Sequence, residues 1–338
     1  ETFYHQMRKL IYLSSLVIIT SLICYNLFNQ GNQVKEINLY SARKENMFNE
    51  LFLKFYKETG IRVNLITDKS PKLLARLKTE GKNSPADLLL TSDIITLENA
   101  KKSGLTLATN LPNISQTIEK NYQDPQGHWY GVSMRARAIF YNKKLVNKSQ
   151  ITNYQDLANK KFKNSILIRS SNNVYNQSLI AQMIINHGEA ETKKWVSGIV
   201  SNFARKPFGG DTDQLRSLAM GKGKIAIANS YYFARLENSR NEYDRKLAKN
   251  IGIIFPDQES SGTNINLSGI ALLKHSKNKE NAKKLIKFLV TPATQQYIVN
   301  HNYEFPVIKN IKLKDSYQSW NGFKADNAAL KKIHKFDL

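Results

Sequence analysis

The sequence predicts a two-lobed α/β protein with a ligand cleft between its lobes. Three observations carry that prediction. A strand–helix–strand–helix–strand rhythm begins at residue 36, a second α/β series begins near residue 165, and two apolar strands are placed to cross between them. The chain of 338 residues can hold two cores, and 41% hydrophobic residues among interspersed charges describe a globular body.

Residues 1–35 read as an address and linker. Met7-Arg8-Lys9 precedes the apolar run LIYLSSLVIITSLICYNLF, the pattern of an export signal. The run is nearly long enough to span a bilayer, and Leu22-Ile23-Cys24 half-resembles a lipid-attachment site, so cleaved and anchored forms are both open. Cys24 is the only cysteine, which excludes disulfides, thiolate zinc sites and a cysteine nucleophile from the body.

The body begins with the strand Glu36–Tyr40. A helix is expected over 44–59, with Met47, Leu51, Phe52 and Phe55 on one face and Gly60 as its stop. The strand Ile61–Ile66, a helix over 71–81 and the buried-type strand Ala86–Thr91 follow, the signature of a parallel sheet covered by helices. Residues 129–142 (WYGVSMRARAIFYN) form one long strand with arginines in its middle. Further strands are expected near 165–169, 224–228 and 251–255, and helices near 175–187, 189–200 and 211–220. A strand over 265–273 precedes the amphipathic helix 280–289, and Pro292 opens another. The expected lobes are 36–132 with 265–300, and 133–264 with 301–338.

Fifty basic against 27 acidic residues give a net charge of +23. Such a balance raises nucleic-acid binding as an option. The basic residues are scattered, however, with no arginine stripe interleaved with aromatics, so no nucleic-acid partner is expected. A basic surface equally suits an anionic membrane face or an anionic metal complex. Neither the six histidines nor any Ser-His-Asp order forms a ligand or catalytic set, and His128 reads as a loop residue.

The informative local feature is Asn229-Ser230-Tyr231-Tyr232, directly after the apolar strand Ile225–Ala228. Tyr175 opens a helix within Ser170-Ser171-Asn172-Asn173-Val174-Tyr175-Asn176. Phenolate is a hard anionic oxygen donor suited to ferric iron, and three of them would neutralise a trivalent ion. A Tyr-Tyr pair by itself equally serves packing or sugar stacking.

The wider motifs decide between these uses. Ser171–Leu179, Asn202–Pro207, Gly209–Gln214 and Ala226–Leu236, with Phe255–Gln258 and Asn264–Gly269, together resemble the iron(III)-binding proteins of bacterial ABC importers, in particular the cyanobacterial-type subgroup. The resemblance runs from Asn38 to Val307. It implies a type II periplasmic-binding-protein fold and an iron ion, Fe3+ or Fe2+, held by Tyr175, Tyr231 and Tyr232. It also implies an accompanying anion such as carbonate or citrate. Arg135 matches a cleft arginine that balances the anionic cluster, and Arg235 a second one. The implied setting is the periplasm, with a monomeric binding protein serving a membrane permease that has a separate ATPase, and no enzymatic activity.

One position departs from that pattern. Where the subgroup carries a histidine and a fourth tyrosine after Tyr-Ser-x-Arg, this chain has Tyr40-Ser41-Ala42-Arg43-Lys44-Glu45. Glu45 either supplies a carboxylate ligand or occupies a helix's first turn, where negative charge is favourable. If Glu45 does not bind, Lys44 and Arg43 suit an external anion. The residues alone leave open a binder of another small solute (a polyamine, sugar or organic anion) or an α/β envelope enzyme.

Overall fold

The computed structural model describes residues 35–333, so the expected export segment lies outside the described residues. The chain begins with β1 (Glu36–Ser41), a 3-10 turn (Glu45–Met47) and α1 (Asn49–Thr59). The helix expected from residue 44 thus starts later. Ser41 Oγ accepts the Arg43 N–H at 3.0 Å, a local turn that leaves Lys44 extended. Gly60 ends α1 with φ of 67°, a left-handed conformation that glycine adopts without steric cost. Next come β2 (Arg62–Thr67), α2 (Ser70–Glu80), β3 (Leu88–Thr91), α3 (Ile94–Lys102) and the short α4 (Pro112–Thr117).

The long strand β4 (Tyr130–Asn142) leads into β5 (Ile166–Leu167), shorter than expected, and α5 (Val174–Ser201). Gly188 breaks α5 with φ of 81°, which reconciles it with the two helices read from the sequence. Then follow α6 (Asp211–Ala219), β6 (Ile225–Asn229), α7 (Ser230–Glu237), α8 (Glu242–Ala248), β7 (Ile251–Ile254) and β8 (Ile265–Leu272). The chain closes with α9 (Lys279–Leu289), α10 (Pro292–Tyr297) and α11 (Asn327–Lys332).

The strand order is β2-β1-β3-β8-β4-β6-β5, with β7 also pairing β4. The first three strands are parallel, as expected, but β8 joins β3 antiparallel and β4 joins β8, β6 and β7 antiparallel. The sheet is therefore mixed. Along β4 the partner changes: Tyr130–Ala136 pairs with β8, and Arg137–Asn142 pairs with β6 and β7. One continuous strand thus ties the two series together, and its residues are buried except for a half-buried Tyr141.

Apolar faces close over each half. Phe55 of α1 meets Phe288 of α9 with ring centroids 5.3 Å apart, over the fully buried Ile37 and Leu39. Burying each such side chain contributes about 1.5–3 kcal/mol. A second core gathers Ile139, Leu157, Trp195, Ile225 and Ile227. Beyond Asn302 the chain returns along both halves, with bridges Met134–Phe305, Ile118–Ile308 and Thr263–Ala325. Among the described residues no helix is long and apolar enough to cross a membrane.

Candidate metal centre

Strand β6 is five buried residues, Ile-Ala-Ile-Ala-Asn, and α7 begins at the very next residue. Consecutive strand residues would point to opposite faces, whereas consecutive helix residues diverge by roughly 100°. The immediate turn into a helix therefore lets Tyr231 and Tyr232 share one side. Their ring centroids lie 4.1 Å apart at 32°. Tyr175 comes from the first turn of α5, where the Asn173 side chain accepts its backbone N–H at 3.1 Å and caps the helix. The structure brings the three phenols together, and each of the two α7 tyrosines feels Tyr175.

Burial, reinforced by Tyr175 and Tyr232, pushes the Tyr231 phenol well above its ordinary pKa, while Arg43 and Arg135 pull it down. Burial also raises Tyr232, again with Tyr175 and with Asp211, against a hydrogen bond from Tyr231 and the charge of Arg169. Guanidinium groups surround the rings. The Arg235 guanidinium carbon sits 4.8 Å from the Tyr231 centroid, and those of Arg135 and Arg169 lie 5.8 Å and 5.7 Å from the Tyr175 centroid. Arg135 is fully buried and donates to Ser268 Oγ and to the Ser92 carbonyl.

Sequence reasoning missed one member, Glu304. Its buried carboxylate accepts from Arg43 and from Ser133 Oγ and lies 3.8 Å from Arg135. Burial works to raise its pKa, but Arg43, Arg135 and Ser133 prevail and hold it below the usual carboxylate range. No local pattern could reveal Glu304, because its partner Arg43 is 261 positions away. The sequence suggests Arg43 only as a partner for an external anion. It is 4% exposed and acts on Tyr175 and Tyr231.

Tyr175 and Tyr232 line a cavity of about 530 Å³. Ser70, Ser92, Asp93 and Thr96 form one wall, and Arg169, Asn173 and Gly209 the other. The N-termini of α2, α3 and α5 therefore converge on it, a setting favourable to anions. Glu45 is not brought into this group. It is exposed and lines a separate groove of about 500 Å³ with Asn49, Tyr56 and Arg62. Lys44 is also exposed. Elsewhere, His128 lies in a loop with Nδ1 2.8 Å from Thr106 Oγ1, and among the described residues no three His, Cys, Asp or Glu side chains gather as a metal site. The donor set at the cleft is hard phenol oxygen beside guanidinium, chemistry that suits a highly charged cation together with an anion.

Two halves sharing one long strand and meeting at a cleft of phenols, arginines and helix N-termini are the make-up of a two-lobed binding protein. Residues 83–329 match the family described as bacterial extracellular solute-binding protein, and the chain belongs to that family. It is 42% identical over 299 residues to Iron uptake protein A1 of Synechocystis, covering 88% of this chain and 83% of that one. Its fold matches the Trichodesmium protein (IdiA, FutA) in complex with iron and citrate, with a TM-score of 0.83, 41% identity and coverage of 89% and 95%. The ferric binding protein from Campylobacter jejuni gives a TM-score of 0.84 at 40% identity, covering 88% and 95%. The fold is thus the type II binding-protein fold expected from the sequence.

Proposed function

We propose that this protein captures ferric iron in the cleft through the phenolates of Tyr175, Tyr231 and Tyr232 and delivers it to a membrane permease. The convergence of these three phenols beneath Arg43, Arg135 and Arg235 carries the reading. The iron-related names of the similar proteins support it. Iron replaces phenol protons, and the adjacent guanidiniums favour the anionic ring. With Glu45 exposed and facing another groove, the fourth and later positions fall to an exogenous anion such as carbonate or citrate. Ferrous iron offers less charge to displace protons from phenols, so the ferric ion is the favoured cargo.

The lobes, taken as 36–132 with 265–300 and 133–264 with 301–338, close on the ion through contacts made to both. The change of partners along β4 supports a division within that strand. The protein acts as a monomer in the periplasm, without catalysis, and a separate ATPase drives the permease. Its N-terminal segment serves export and, through the apolar run or Cys24, optional anchoring. Titrating purified protein with ferric citrate tests the reading. A saturable phenolate-to-iron charge-transfer band is expected, and a featureless visible spectrum would overturn it.

A further inference from the structure

We infer that Arg137, two residues beyond Arg135 on β4, is a positioning residue that locks the two tyrosine-bearing segments in register; this rests on the iron-binding reading above. Residues i and i+2 of a strand share a face, so Arg135 and Arg137 point the same way. Their surroundings differ. Arg135 lies beside the Tyr175 ring, whereas Arg137, also fully buried, binds side chains that adjoin the tyrosine-bearing segments.

Its Nη2 donates to Asn176 Oδ1 at 2.6 Å, and Asn176 immediately follows Tyr175. Its Nη1 donates to Asp211 Oδ2 at 2.7 Å and to Asn229 Oδ1 at 3.3 Å. Asn229 is the last residue of β6, two before Tyr231. The same Asp211 oxygen accepts the Asn229 backbone N–H at 2.8 Å, which fixes the point where the strand turns into α7. Asn176 in turn donates to the carbonyls of Arg169 and Ser170, anchoring the loop ahead of Tyr175.

Arg137, Asn176, Asp211 and Asn229 are each at least 94% buried, so none of these side chains is held by solvent. The Arg137–Asp211 ion pair is buried on both sides, and Arg169 reaches the other Asp211 oxygen at 3.5 Å. Arg137 is also the first β4 residue to pair with β6, opposite Asn229, immediately after Ala136 pairs with β8. The tyrosine supports are therefore tied to the strand that joins the two halves. The network sets the distance from Tyr175 to Tyr231 and Tyr232 before any ion arrives.

The test compares wild type, Arg137→Lys and Asn176→Ala, each titrated with ferric citrate and melted without iron. Asn176→Ala cuts the link from Arg137 to the Tyr175 helix, together with the bonds to the Arg169 and Ser170 carbonyls, and leaves the Arg137–Asp211 pair intact. An unchanged band in it therefore overturns the inference even if Arg137→Lys does not fold. The expected result is a shifted, weakened charge-transfer band and roughly tenfold to hundredfold weaker iron binding in either folded variant. A purely structural role would lower the melting temperature and leave the band unmoved. Folded variants with the wild-type band and affinity within about twofold would overturn the inference. Absence of a band in wild type would instead remove the reading on which it rests, and is visible before any substitution is made.

Discussion

Tyr231 illustrates how one residue's environment sets its chemistry. Burial holds its phenol protonated, yet Arg43, Arg135 and Arg235 stand ready to stabilise the anion once a cation displaces the proton. Ferric affinity should therefore fall as pH falls, with protons released on binding measurable by titration in weak buffer. Asp257 gives a separate pH signature. Burial, with help from Asp326 and Asp156, raises its carboxyl to about 6. An unfolded aspartate ionises near 4, so between about pH 4 and 6 the folded state holds the extra proton and stability falls as pH rises. Asp257→Asn should recover up to about 3 kcal/mol above pH 6 and nothing at pH 4, read by denaturant unfolding at both values. Asparagine tolerates the φ of 61° found there.

At the scale of elements, the sequence reads as helices near 175–187 and 189–200, and the structure supplies the reason for the gap between them: Gly188, with φ of 81°. A Cβ there meets no neighbouring atom, so only backbone strain opposes Gly188→Ala. That substitution should cost about 1–2 kcal/mol in unfolding and leave the iron band unchanged. Sequence periodicity also gives the helix before Gly60, because apolar spacing is a local signal. It places the start of α1 too early, since the Ser41–Arg43 turn competes with helix and leaves no mark in the apolar pattern. The antiparallel entry of β8 was equally illegible: it depends on which sheet edge a strand reaches after a long excursion.

Over the whole molecule, the same contrast separates what the tyrosine motifs revealed from what only folding assembled. Tyr175, Tyr231 and Tyr232 stand out through their own flanking residues. Glu304 does not, because it becomes part of the site only when the C-terminal segment returns beside β4 through the Met134–Phe305 bridge. Glu45 shows the reverse case, a residue at a suggestive sequence position that the turn before α1 leaves at a different surface. The proposed site is a three-phenolate cleft beside buried arginines, with an anion completing the coordination. The most direct measurement is the visible spectrum with ferric citrate for wild type, the Tyr231→Phe, Tyr232→Phe double variant, and Tyr40→Phe as a control. Tyr40 bonds to Glu80 with its phenol 2.8 Å from the carboxylate. The prediction is a charge-transfer band in wild type and Tyr40→Phe, lost in the double variant; a band of wild-type intensity in the double variant would contradict it.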